Sequence, residues 1–169
     1  MNTQTTLSKD LQSKLVAERK QRLNQLGNIE HRLEFVDEVN GVEYINDAKA
    51  TDINSTWYSL DCIDKPLIWI MSSSQYETDL TLYSELNLSG VKAIIVMGSN
   101  QKEVETFILQ NTELVGRVNT VMQAVEHAQL IASSGDAVLF SPSCSDFDSF
   151  RNFKDAGQQF RKAVREMRL

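Results

Sequence analysis

From Leu33 onward, short apolar runs alternate with polar, capped stretches. Leu33, Phe35 and Val39 precede Asn40-Gly41, and Val42 and Tyr44 follow it. Asn-Gly between two alternating runs predicts a tight turn whose central residues both need φ > 0, so a β-hairpin is expected over 33–45. The run 67–71 is wholly apolar (Leu-Ile-Trp-Ile-Met), as strands buried on both faces of a parallel sheet are. Further strands are expected at 93–97, stopped by Gly98, at 118–122 and at 137–140. Helices fall between them: one through Trp57, Leu60 and Ile63 that ends before Pro66, then 79–88, 103–109 and 124–133, the last ended by Gly135. Such alternation implies crossover units. The expected fold is α/β, a Rossmann-like, mostly parallel sheet flanked by helices and opened by an N-terminal β-hairpin.

Both ends of the chain read as helical. At the C-terminus Ser145 is the expected N-cap, with Asp148 three residues on as a carboxylate version of the capping box. The inner face would be Phe147, Phe150, Phe153, Ala156, Phe160, Ala163, Val164 and Met167. At the N-terminus Leu7, Leu11, Leu15, Leu23 and Leu26 make a thin apolar stripe among charged residues, stopped by Gly27. Residues 1–29 are therefore expected to form a helical arm, leaving 30–169 as one domain. Met1 followed by such a helix favours a free-standing gene product over a cut domain.

Composition narrows the function classes. A net charge of −6 lacks the basic clusters that bind nucleic acid or an anionic membrane. No apolar run approaches the ~20 residues of a membrane span, and no signal-peptide core opens the chain. Cys62 and Cys144 lie far apart without metal-ligand spacing, as reduced thiols of a cytoplasmic protein would. His127 reads as a solvated or half-buried histidine. No G-x-G-x-x-G follows any expected strand, which disfavours a dinucleotide binder.

The candidate chemistry lies in Val42–Thr56, a strand that breaks into Asn46-Asp47-Ala48-Lys49-Ala50-Thr51-Asp52 ahead of a helix. Strand ends and helix N-termini expose unpaired N–H groups, and open α/β sheets bind ligands there. Asp47 offers a carboxylate and Lys49 a cation, while Thr51 and Asp52 are candidate N-caps. The alternative is an ordinary capped turn with solvated charges, including an Arg32–Asp47 ion pair across the hairpin.

His31-Arg32, Asn40-Gly41 and the run 45–52, Ile-Asn-Asp-Ala-Lys-Ala-Thr-Asp, together with 139–153, Leu-Phe-Ser-Pro-Ser-Cys-Ser-Asp-Phe-Asp-Ser-Phe-Arg-Asn-Phe, resemble two signatures of the Mur ligase C-terminal domain. The branch resembled is the one that adds D-glutamate to UDP-N-acetylmuramoyl-L-alanine in peptidoglycan synthesis. The resemblance implies that His31, Arg32 and Asp47 face a nucleotide, Asp47 accepting from ribose hydroxyls. It implies that Lys49, Thr51, Tyr76, Asp146, Phe147 and Phe153 face the amino-acid substrate.

Departures matter as much. No G-x-x-x-x-G-K-[ST] phosphate loop occurs, and the seven glycines are scattered. Where the family carries GG-x-x-K, this chain reads Ser72-Ser73-Ser74-Gln75-Tyr76, with no Lys or Arg between Lys65 and Lys92. The family's substrate-contacting serine falls on Asp146. The expectation is a domain that holds no cofactor and catalyses nothing alone, with ATP and magnesium entering only if the remaining ligase domains are supplied. Its expected partner is a complete Mur ligase or those domains. The competing expectation is a non-catalytic relic that binds or regulates.

Overall fold

The computed structural model describes residues 29–72, 80–98, 102–145 and 150–168, together with Lys14. The expected N-terminal arm lies outside the described residues except for Lys14 and Ile29. The element order is β1 (Glu34–Val39), β2 (Val42–Asn46), α1 (Ile53–Asp61), β3 (Leu67–Ser72), α2 (Leu80–Ser84), β4 (Val91–Met97), α3 (Lys102–Asn111), β5 (Glu113–Val118), α4 (Val121–Ile131), β6 (Ala137–Phe140) and α5 (Phe153–Glu166).

Among the described residues six strands form one sheet in the order β1-β2-β6-β3-β4-β5. Only β1 runs antiparallel to its neighbour. The hairpin turn is the one Asn40-Gly41 predicts, with φ of 54° and 78°. All six residues of β3 are buried, as its apolar run requires. Its side chains divide two cores by the period of two. Ile68 and Ile70 meet α4 and α5 on one face, while Leu67, Trp69 and Met71 meet α1, α2 and α3 on the other.

Two expectations are corrected. The strand placed at 118–122 lies upstream at Glu113–Val118, and Val121 already begins α4. Thr120 caps that helix by accepting the Gln123 N–H, which claims Val121 and Met122 for the helix. The true strand is hard to see because it bulges: Leu114 pairs with Ile94 and Gly116 with Ile95, so Val115 is skipped.

The last helix starts at Phe153 and not at Ser145. Its N-cap is Asn152, whose side chain accepts the N–H groups of Lys154 and Asp155. Asparagine is as good a cap as serine, and it stands where the buried positions Ala156, Phe160, Ala163 and Val164 begin their helical period. Phe160 stacks on Phe140 of β6 with centroids 5.2 Å apart, fixing α5 across the sheet. Phe147, on the expected inner face, lies outside the described residues. No helix among the described residues is long and apolar enough to cross a membrane.

Candidate functional site

Because β6 enters between β2 and β3, the C-terminal ends of β2 and β6 lie side by side, and the polar turn after β2 faces the Ser-Pro segment after β6. The Asp47 N–H donates to the Phe140 carbonyl at 2.8 Å, and the Ser143 N–H donates to Ala50 at 3.0 Å. Asp52 then caps α1, its Oδ1 accepting the Ser55 N–H at 2.8 Å and its Oδ2 the Ser55 hydroxyl at 2.7 Å. The expected cap is therefore Asp52 and not Thr51, whose N–H donates to the Lys49 carbonyl.

Asp47 sits beneath this junction and is only 2% exposed. One carboxylate oxygen accepts the Leu33 N–H at 3.1 Å and the other the Ser141 hydroxyl at 3.0 Å. Ser141 is itself held, its Oγ 2.9 Å from the Thr56 hydroxyl and its carbonyl accepting from the Trp69 indole. Burial pushes the Asp47 carboxyl up to about 6, against the opposing effects of bonds from Ser59, Leu33 and Ser141 and of the Arg32 charge. Desolvation wins because an ion loses more solvation than neutral donors return.

Above Asp47 opens a cavity of about 190 Å³ lined by Arg32, Lys49, Ala50, Ser55 and Ser59. Arg32 and Lys49 are exposed, and neither has an ion-pair partner within 4 Å among the described residues. The Arg32–Asp47 interaction is thus through space and not a contact pair. Two uncommitted cations on the rim of one cavity, in an acidic chain, can meet an anion.

The remaining expected site residues are placed differently. His31 is turned inward, 2% exposed, and its Nδ1 is 2.9 Å from the Asn46 amide nitrogen. Glu34 accepts from both the His31 N–H and the Asn46 amide, and Asn46 returns to the turn by accepting the Ala48 N–H. Phe153 meets His31 edge-on at 6.3 Å, on the α5 side. The His31 carbonyl accepts the Lys49 N–H at 3.0 Å, so this network sets the backbone that carries the rim lysine. Thr51 is half-buried and outside the cavity lining. Tyr76, Asp146 and Phe147 lie outside the described residues. Arg32, Asp47 and Lys49 are therefore brought together, while His31 and Phe153 stand behind them. Sequence reasoning missed Ser55, Ser59 and Ser141; the signal was the i, i+4 spacing of Ser55 and Ser59 just past a helix cap.

A family model described as "Mur ligase, glutamate ligase domain" matches residues 31–144. A UDP-N-acetylmuramoylalanine–D-glutamate ligase from Porphyromonas gingivalis is 39% identical over 145 residues, covering 86% of this chain and 32% of that protein. The protein of the same description from Christiangramia forsetii is 33% identical over 174 residues, covering 98% and 38%. The chain thus spans about a third of the length of the curated relatives it matches. Among solved structures, a murein peptide ligase from Psychrobacter arcticus superposes with a TM-score of 0.57 at 14% identity, covering 80% of this chain and 30% of that one. The MurF ligase from Thermotoga maritima, solved in complex with ADP, gives 0.52 at 15% identity, covering 82% and 32%.

Proposed function

The chain belongs to the Mur ligase family as its C-terminal, glutamate ligase domain, and from that premise we propose that it is the nucleotide- and amino-acid-facing third of a ligase acting in peptidoglycan synthesis in the cytoplasm, inactive by itself. The observation that carries this reading is the paired, uncommitted cations Arg32 and Lys49 above the buried Asp47. Phosphoryl transfer is catalysed mainly by positioning and by stabilising charge on the transferring group. This domain brings two cations to the rim but no phosphate-wrapping glycine loop. ATP with magnesium supplies the phosphoryl group that activates a carboxylate when the other domains are present. Arg32 and Lys49 are the groups that would meet the nucleotide, and Asp47 would hold the turn from beneath.

Purified alone with magnesium and ATP, the chain is expected to release phosphate at buffer background. Mixed with the P-loop-bearing two thirds of a related D-glutamate ligase, it should raise ADP affinity, and Arg32→Ala and Lys49→Ala should each weaken that binding by about tenfold. Saturable turnover by the chain alone, or ADP binding indifferent to both substitutions, contradicts the reading.

A second reading, a binding or regulatory module with a degenerate amino-acid site, is favoured by Tyr76 and Asp146 standing where the family has a lysine and a serine. An acceptor-only carboxylate cannot hydrogen-bond a substrate carboxylate. Calorimetry with millimolar D-glutamate is expected to show no heat, and Tyr76→Lys with Asp146→Ser to restore some. Saturable binding by the unmodified chain would show that the site is intact.

A further inference from the structure

At the opposite end of the sheet, where β3 and β4 begin, lies a half-open cavity of about 520 Å³. That volume is in the range of small-molecule pockets. Its floor is apolar, made by Leu60, Leu67 and Val91, and its charged groups are Asp61, Asp64, Lys65 and Lys92. The cations are already matched. Lys65 pairs with Glu43 at 2.6 Å and Lys92 with Asp136 at 2.5 Å. Asp61 makes no hydrogen bond or ion pair among the described residues.

Asp61 is also the last residue of α1, a helix with no basic residue in its final turn. The negative end of the helix dipole and a carboxylate therefore fall together, with the cavity's two lysines paired to other carboxylates, an arrangement relieved by a bound cation. Burial raises the Asp61 carboxyl above its ordinary range, so the group is already partly stripped of water. No cluster of three metal-ligating side chains stands here or elsewhere among the described residues. An ammonium needs only one carboxylate and a few carbonyls, and an aliphatic tail would cover the apolar floor.

We propose that this cavity is a binding site for an aliphatic ammonium group, with Asp61 as its counter-ion and the Leu60–Leu67 floor taking the methylene chain. The site is independent of the nucleotide-facing cavity. The ammonium could be carried by a free small amine or by a lysine side chain of another protein, and the same contacts serve both.

The test is a backbone NMR titration of the full chain at neutral pH and 150 mM salt. The probes are 1,5-diaminopentane, Nα-acetyl-lysine amide, and pentanoate as the anionic control. Saturable shifts are expected at Asp61, Ile63, Gly90 and Val91, with a dissociation constant of about a millimolar, and none with pentanoate. Asp61→Asn should weaken binding by about tenfold or more. Gly90→Met should block it while leaving the fold intact, because a Cβ at Gly90 meets nothing within 4 Å. Binding of the diamine alone identifies a free amine, and equal binding of the lysine derivative identifies a protein-borne lysine. Shifts that do not saturate, or binding unchanged in both variants, overturn the proposal.

Discussion

Alanine at position 157 is expected to lower the unfolding free energy by ~3 kcal/mol, although alanine is the better helix former. Gly157 lies inside α5, where helix propensity alone favours Gly→Ala by about 1 kcal/mol. A Cβ there would run into His31 Nδ1 and fall 2.8 Å from Cε1, inside any possible contact. The ring cannot step aside. Asn46 holds its Nδ1, Phe153 stands against its edge, and the whole side chain is buried. Either α5 lifts off the hairpin or His31 leaves and strands Asn46 among buried acceptors. Overpacking costs about 1–3 kcal/mol and an unmet buried polar group about 1–3 more, which together exceed the propensity gain. Urea unfolding of the variant measures the loss. His31→Ala combined with Gly157→Ala should be less destabilised than the two single effects added, because the first opens the space the second fills. A Gly157→Ala chain as stable as the parent would show that the helix and histidine do not approach so closely.

Asparagine at position 47 is expected to do the reverse and stabilise the fold at neutral pH by ~2 kcal/mol. The Asp47 carboxyl titrates ordinarily at 3.8 but at about 6 in the folded chain. Between those values the folded state keeps a proton that the unfolded state has released. Stability therefore falls as pH rises from about 4 to about 6, then levels off. At ~1.4 kcal/mol per unit the drop is on the order of 3 kcal/mol. Asparagine can still accept the Leu33 N–H, and the Ser141 hydroxyl can turn to accept its amide. What it loses is the through-space attraction to Arg32, which makes the gain smaller than the full drop. Urea midpoints from pH 4 to 7 should slope downward in the parent and flatten in Asp47→Asn. A parent that gains Asp47-dependent stability over the same interval would mean that the hydrogen bonds outweigh burial.

Asp47 is also a residue that the sequence singles out. Asp47 and Lys49 were legible because an alternating strand ran into a polar turn ahead of a cap, a local pattern. The hairpin was legible for the same reason, since Asn40 and Gly41 take the φ angles their types predict. What stayed hidden was long-range. Nothing local shows that His31 faces α5 through Gly157, or that Ser141, 94 positions from Asp47, would hold its carboxylate. The strand at Glu113–Val118 was misplaced because a bulge and a glycine break the period that sequence reading depends on. The start of α5 was misplaced because Ser145 and Asn152 are equally good caps, and only packing on Phe140 chooses between them.

The place of β6 bears on how the molecule comes into being. It is the last of the described strands in chain order, yet it lies between β2 and β3. During synthesis the hairpin and the β3–β4–β5 ribbon can each assemble, but their facing edges stay open to water and to other chains until Ala137–Phe140 has emerged. The two halves are then joined in one late step, which carries the closure entropy of the connections still free at that point. Asp47 acquires its Ser141 bond at that same moment, so the cavity above it exists only in a finished sheet.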